Sequence, residues 1–356
     1  MYSRKVNIVI VSLVLIGFSA CLKNDEKDIV VAPQENNTSE EIINYLERNG
    51  DFINSADCPA VVEAEEVYSN MYSYLLIDLR LPGEYSFGHI ETAVNVQHNN
   101  LLAFLETQAL GNFSKIILIS KNGQSSAYYA ALLRLYGMKN VFSMNYGMAA
   151  WHEDFSEDWI EVLQSETNQA ELSIEEFPKG KFNPFPMLEF SNPQMSTKEK
   201  INERITVLLN KYFPEEKKTY SNQDPSIQKE EYFVAAKNLD YYLVCCGIYS
   251  SYIYRLDQTL IMGHLRGAIH YSAPPNSDFR SSLYLQTIPS DKKVFIYSHE
   301  GNLSAFFTAY LQLLGYDAVS MLYGLNTIYP DLIGLVPTLV NYVFTYEKIK
   351  NYPYSS

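Results

Sequence analysis

Two seven-residue loops carry the side chains best placed for chemistry. The first is Ser120-Lys-Asn-Gly-Gln-Ser-Ser126 and the second is Ser298-His-Glu-Gly-Asn-Leu-Ser304. Each follows a strand-like apolar run, 115–119 and 293–297, and each leads into an apolar stretch that closes on a glycine, Gly137 and Gly315. A loop between a buried strand and a helix gathers backbone N–H groups and the positive end of the helix dipole, so it favours an anion or a developing negative charge. Ser120, Lys121, Asn122, Gly123, Gln124, Ser125 and Ser126 form a candidate anion-binding cradle, with Lys121 as its cation. Ser298, His299, Glu300, Gly301, Asn302, Leu303 and Ser304 repeat the spacing, but the Glu300 carboxylate would repel an anion. Serine catalysis needs a base and a group to orient it. His299 adjoins Ser298 and diverges from it on a tight loop, so Ser120 and Ser298 stand as nucleophile positions without a base, and no residue is assigned as catalytic.

The four cysteines divide by context. Arg4 and Lys5 precede an apolar run from Ile8 to Phe18, and Ser19-Ala20-Cys21 follows, the layout of an export signal. That run is shorter than the roughly 20 residues of a membrane-spanning helix. Export permits disulfides, yet Cys58, Cys245 and Cys246 make no disulfide framework. Cys245 and Cys246 end an apolar strand pattern, at the edge where open α/β sheets place ligands, and form a candidate redox or sulfur-carrying pair. The competing reading is that they fill a buried strand end. The formal charge of −14 argues against a nucleic-acid partner. Neither a metal nor a cofactor is expected.

These side chains must be held by an α/β layer architecture, a mostly parallel sheet with helices on both faces, because strand and helix patterns alternate along the chain. Tyr74 to Asp78 reads as a buried strand, 61–71 and 100–110 as helices, and 140–144 as a short strand. The pattern then recurs, with Gly88 and Gly263 offset by 175 residues, Ser120 and Ser298 by 178, and Gly147 and Gly324 by 177, so a whole domain is duplicated. The spacing predicts a signal at 1–20, a tether at 21–55 holding a short helix at 39–48, a domain at 56–165, a linker at 166–225 and a second domain at 226–356. In the linker, Ser196 and Glu199 predict a capping box, with Ile201, Ile205, Leu208 and Tyr212 on one helical face. Residues 217–228 read as exposed, and Leu339, Val343 and Tyr346 as one face of a terminal helix.

The runs Ile77-Asp-Leu-Arg-Leu-Pro-Gly-Glu-Tyr85, Gly88-His-Ile90 and Ala93-Val-Asn95 resemble the first signature of rhodanese-like domains. Leu118 to Ala127 resembles the family's active-site loop and Gly147 to Trp151 its closing motif. In the second copy Gly263-His-Leu-Arg-Gly-Ala-Ile269 matches the Gly-His signature, while Ile328 or Tyr329 replaces the closing Trp. The resemblance implies two rhodanese-like domains, structural roles for His89 and His264, and fixation of the loop after the first strand by Asp78, Arg80 and Glu84. It also implies sulfane-sulfur transfer through a loop cysteine, but Ser120 and Ser298 occupy that position, and a hydroxyl carries no persulfide. Ser19-Ala20-Cys21 resembles the lipobox of bacterial lipoproteins, with Phe18 where Leu is commonest. By that resemblance Cys21 is lipidated, and Leu22 after it implies an outer membrane, facing periplasm or cell surface. The combined expectation is an anchored, catalytically degenerate binding or scaffold module, with an unknown protein or a small oxyanion as partner. The alternative is a sulfurtransferase or redox protein using Cys245 or Cys246.

Overall fold

The computed structural model describes residues 38–165, 172–215, 224–230, 234, 241–256 and 259–356. The chain divides into two compact units, Met1–Glu35 and Asn36–Ser356, and every element named belongs to the second. The signal, Cys21 and the first part of the tether lie outside the described residues. Among those described, no helix is long and apolar enough to cross a membrane.

Five short parallel strands make the first sheet: β1 (Val61–Val62), β2 (Tyr74–Asp78), β3 (Val94–Asn95), β4 (Lys115–Ile119) and β5 (Val141–Met144), in the order β1-β5-β4-β2-β3. Every residue of β2 is buried, as are the last four of β4, which explains their unbroken apolar runs: a parallel sheet is covered on both faces. Beyond it, β6 (Leu172–Ser173) belongs to the linker. The second sheet comprises β7 (Ser226–Ile227), β8 (Tyr241–Gly247), β12 (Ile269–Ser272), β13 (Lys293–Tyr297) and β14 (Ala318–Met321). Its order, β12-β8-β13-β14-β7, repeats that of the first sheet when read from the other end, again all parallel. After β8 the second half inserts a turn at Tyr249–Ser251 and the hairpin of β9 (Tyr254–Leu256) and β10 (Thr259–Met262); β11 (His264–Leu265) then pairs antiparallel with β6.

Helices flank both sheets: α1 (Thr38–Arg48), α2 (Ala64–Asn70), α3 (Pro82–Phe87), α4 (Leu101–Glu106), α5 (Gln124–Tyr136), α6 (Met148–Trp151), α7 (Glu157–Leu163), α8 (Thr197–Leu209), α9 (Asn302–Leu313) and α10 (Leu325–Ile328). The two long helices that follow the loops, α5 and α9, pack on each other, which joins the halves through one core. Helix α8 lies against both and is capped as its sequence predicts, with Ser196 N–H donating to Glu199 at 2.8 Å and the Ser196 hydroxyl accepting from Glu199 N–H. Its Ile201, Ile205 and Leu208 are buried, and Arg204 donates to the last-turn carbonyls of α9, Gln312 O at 2.6 Å and Leu313 O at 2.5 Å.

Four expectations change. Residues from Thr38 on are not tether, because α1 buries Ile42 and Ile43 and packs on α8. The stretch 61–71 divides into β1 and α2. Ser226 and Ile227 are buried as the edge strand of the second sheet instead of exposed. The terminal helix is replaced by short turns at Val340–Tyr342 and Tyr346–Lys348. An extended strap follows: Lys350 and Tyr352 N–H donate to Ala150 O and Trp151 O at 3.0 and 2.9 Å, and Ser355 exchanges both backbone bonds with His89 at 2.8 Å. The indole of Trp151 donates to Pro353 O at 3.0 Å, so the C-terminus of the second half completes the surface of the first.

Candidate functional site

Each loop is shaped by the turn that closes its half. Gly147 has φ 56°, and a Cβ there would fall 2.2 Å from Ser120 O and 2.8 Å from Gly123 N. Gly324 has φ 54°, and a Cβ on it would fall 2.3 Å from Ser298 O. Glycine admits both the left-handed conformation and the contact with the loop backbone. The loop and the closing motif, 27 residues apart in sequence from Ser120 to Gly147, are thus one structural unit.

The first cradle is occupied by the chain itself. Glu215, 5% exposed and 90 residues beyond Ser125, accepts at Oε1 from Gln124 N–H and Ser125 N–H, both at 2.7 Å, and from the Ser120 hydroxyl at 2.9 Å. Its Oε2 accepts from Asn122 N–H at 3.1 Å. Burial raises the carboxyl above its ordinary value, and the bonds donated by Ser125, Asn122, Ser120 and Gln124 offset only part of that rise. Donors on every side of the group favour the carboxylate. Three backbone N–H groups of the loop and the Ser120 hydroxyl thus converge on one in-chain carboxyl group. Lys121 is ion-paired with Asp158 at 2.9 Å. A cavity of about 40 Å³ beside Glu215 is lined by Arg80, Lys121, Ser125 and Tyr212 among others.

Ser120 is buried and also accepts from Gly123 N–H at 3.0 Å. Ser126 lies 2.7 Å from Ser143 Oγ and donates to Gly123 O at 3.0 Å, so it ties the loop to β5. Among the described residues no base is free for either serine: Ser120 meets a carboxylate that already holds three backbone donors, and Ser298 accepts from Ser304 N–H at 3.0 Å. His299 stacks on Tyr342 with centroids 4.4 Å apart, and burial holds its imidazole down to about 4. Glu300 is buried beside it, Nδ1 to Oε2 3.9 Å, and burial raises its carboxyl to about 7. A neutral Glu300 exerts no charge repulsion, which modifies the expectation for this loop below that pH.

The loops meet across the junction of the two halves. Gln124 accepts from Tyr323 N–H at 2.8 Å, and Asn122 donates to the Tyr323 hydroxyl at 3.0 Å. Asn302 donates to Asn145 at 2.8 Å, which donates to Glu63 at 2.8 Å. A Cβ on Gly301 would collide with the Gln124 amide, so the second loop receives the first only because it lacks a side chain there. Around this contact Trp159 packs edge-on against Tyr323 and Tyr146, at 4.8 and 5.2 Å, and stacks on Phe344 at 4.9 Å.

Cys245 and Cys246 lie near the carboxyl end of β8, an interior strand of the second sheet, both fully buried and both free. Successive strand residues face opposite ways, and the two thiols belong to different core clusters, which separates their sulfurs. Burial pushes Cys245 up to about 12 and raises Cys246 well above its ordinary value, which disfavours a thiolate at either at neutral pH. Arg80 donates to Asp78 at 2.6 Å and to Gly88 O at 2.7 Å, and Glu84 accepts from Leu81 N–H at 3.0 Å; these bonds hold the turn after β2. His89 Nδ1 lies 2.9 Å from Tyr85 O, and His264 is stacked on Tyr252 at 3.9 Å. Among the described residues no group of His, Cys, Asp and Glu could hold a metal ion. Sequence reasoning missed Glu215, Gln124 and Tyr323 as partners, because nothing local in Phe213-Pro214-Glu215 marks a residue that reaches the first loop.

Residues 63–154 match the family model of the rhodanese-like domain. Among solved structures, a rhodanese-related protein from Thermoplasma volcanium is 25% identical, over 28% of this chain and 90% of that one, with a TM-score of 0.23. The 3-mercaptopyruvate sulfotransferase of Escherichia coli is 15% identical over 74% of this chain and 97% of its own, with a TM-score of 0.25. The thiosulfate sulfurtransferase of Pseudomonas aeruginosa is 13% identical over 81% of this chain and 46% of its own, also at 0.25. The matched stretch spans α2 to α6 and includes the first loop.

Proposed function

We propose that this chain is a bacterial envelope lipoprotein, anchored through lipidated Cys21 in the outer membrane, with two rhodanese-like domains kept for binding instead of sulfur transfer. The carrying observation is Ser120 at the sulfur-bearing position, its hydroxyl engaged by the Glu215 carboxylate. A loop that lacks a thiol and already holds an anion has neither the nucleophile nor the vacant charge site that persulfide chemistry requires. Its partner is an unknown protein or a small oxyanion; the acidic balance disfavours nucleic acid.

A thiosulfate:cyanide assay on the full chain tests the catalytic part of this reading, with thiocyanate formation expected at background. Turnover well above background would sink it, and its loss on substituting Cys245 or Cys246 would favour the second reading below. Labelling with a radioactive fatty acid, lost in Cys21→Ser, tests the anchor, and protease shaving of intact cells tests the exposed face.

A sulfurtransferase working through Cys245 or Cys246 is the second reading, favoured by the rhodanese-like match at residues 63–154. The burial of both thiols opposes it. Mass spectrometry after polysulfide treatment separates the two readings, because a single-sulfur adduct on either cysteine supports the enzyme.

A further inference from the structure

The occupant of the first cradle is also a fastener between the halves. Glu215 ends the segment Tyr212-Phe213-Pro214-Glu215, which is anchored at successive residues. Phe213 is buried, and its N–H donates to the Tyr129 hydroxyl at 3.0 Å, while that hydroxyl donates to Lys211 O at 2.7 Å. Pro214 O accepts from Ser226 of β7 at 2.6 Å. The carbonyl of Glu215 accepts from Asn122 of the first loop at 3.2 Å and from the Tyr323 hydroxyl of the second half at 3.1 Å. One residue therefore places its side chain in the anion seat and its main chain on the contact between the halves.

We propose that Glu215 is an internal competing ligand: the first loop is a working seat for a small oxyanion, which enters only by exchanging with the Glu215 carboxylate and so loosens the junction at Tyr323 and Ser226. The proposal rests on the binding-module reading and adds the ligand class and its coupling to the domain contact. Three observations support the exchange. The seat offers three backbone N–H donors and one hydroxyl, a set that suits sulfate or phosphate as well as a carboxylate. A small cavity beside Glu215 gives a path to the seat; it is lined by Arg80 and Lys121, which are paired with Asp78 and Asp158, and by Glu84. Burying a carboxylate costs desolvation, so the internal ligand is held less firmly than its hydrogen bonds alone suggest.

Exchange makes a distinct prediction about competition. An external anion faces an occupant at high effective concentration, and its apparent affinity falls by the fraction of time the seat is vacant. Removing the competitor must then raise affinity without adding any contact. Trp159 reports the event from inside, because its indole donates to Asn122 O at 3.3 Å and its ring packs on Tyr323.

The test uses the full chain, wild type against Glu215→Ala and Glu215→Gln. Sodium sulfate and sodium phosphate are titrated at constant ionic strength with chloride as the balance, by calorimetry and by tryptophan fluorescence. At least about tenfold tighter binding of sulfate or phosphate is expected in Glu215→Ala, with saturated wild-type emission moving toward that of the variant. Glu215→Gln keeps the shape and removes the charge, so it is expected to bind between the two and serves where the alanine variant fails to fold. A folded variant that binds neither anion more tightly than wild type overturns the exchange. Tighter binding with no change in emission, or in the accessibility of Tyr323 to iodination, overturns the coupling. Thiocyanate formation by wild type would instead sink the non-catalytic reading and leave these outcomes standing.

Discussion

Glu300 and His299 make opposite demands on pH. Burial raises the Glu300 carboxyl from 4.5 to about 7, so the folded state holds that proton more tightly than the unfolded chain and stability falls as pH rises between those values. Burial lowers His299 from 6.5 to about 4, so the unfolded chain takes up the proton and stability rises with pH over that interval. Where the windows overlap, the two slopes oppose each other. Glu300→Gln removes one of them: its stability is expected to climb steeply from about pH 4.5 to 6.5, where wild type is nearly flat. At about pH 8 the variant should exceed wild type by up to about 3 kcal/mol, since each pH step between the unfolded and folded carboxyl values is worth roughly 1.36 kcal/mol. Urea midpoints measured from about pH 4.5 to 8 check this, and parallel curves for the two proteins would refute it. At the same scale, Ser120→Cys alone is expected to give no thiocyanate, since Glu215 still fills the seat where a persulfide would lie.

At the scale of elements, α8 and the closing turns do the positioning. Helix α8 spans the groove between α5 and α9, and Ile205 is fully buried there. Ile205→Ala is expected to cost about 2–5 kcal/mol by denaturant unfolding, and Ser196→Ala about 1 kcal/mol through loss of the cap. Because Pro214 and Glu215 follow α8 closely, Ile205→Ala should also disturb the first loop, visible as a shift in Trp159 emission. Gly147→Ala puts a methyl against Ser120 O on a left-handed residue, and a loss of roughly 3 kcal/mol or more is expected from strain and displaced loop backbone. An unchanged melting temperature for that variant would mean that the loop and the closing turn are not one unit.

On the scale of the whole molecule, the two halves are interlocked instead of strung together. Helices α5 and α9 share a core, the loops exchange side chains at Gln124, Tyr323, Asn302 and Asn145, and the C-terminal strap returns to Trp151 and His89. Tyr352 stacks on Tyr68 at 4.0 Å, and Tyr354 fills the space beside Gly88, where even a Cβ would fall 2.7 Å from it. Deleting 351–356 therefore exposes Trp151, Phe155 and Gly88 of the first half. The truncated chain is expected to melt several degrees lower in one cooperative step, with Trp151 becoming accessible to acrylamide. Two separate transitions in the intact protein would show that the halves unfold independently and that the shared core contributes little coupling.

The α/β class, both loops, both closing glycines and the capping box of α8 were legible in the sequence, because each is written locally: a buried parallel strand is an unbroken apolar run, and a left-handed turn against a neighbouring backbone demands glycine. That serine and not cysteine opens each loop, at Ser120 and Ser298, was equally plain. Only the tertiary structure decided what fills the first seat and how the halves meet. Glu215 lies 95 residues from Ser120, and Tyr323 lies 201 from Asn122; hydrogen bonds at such separations leave no period, spacing or composition to read. The strap escaped for the same reason, since Leu339, Val343 and Tyr346 have helical spacing while their partners lie across other elements, where packing overrides local propensity. The loop's converging backbone donors were thus inherent in one short stretch of chain, whereas the group that meets them was set by the folding of the whole.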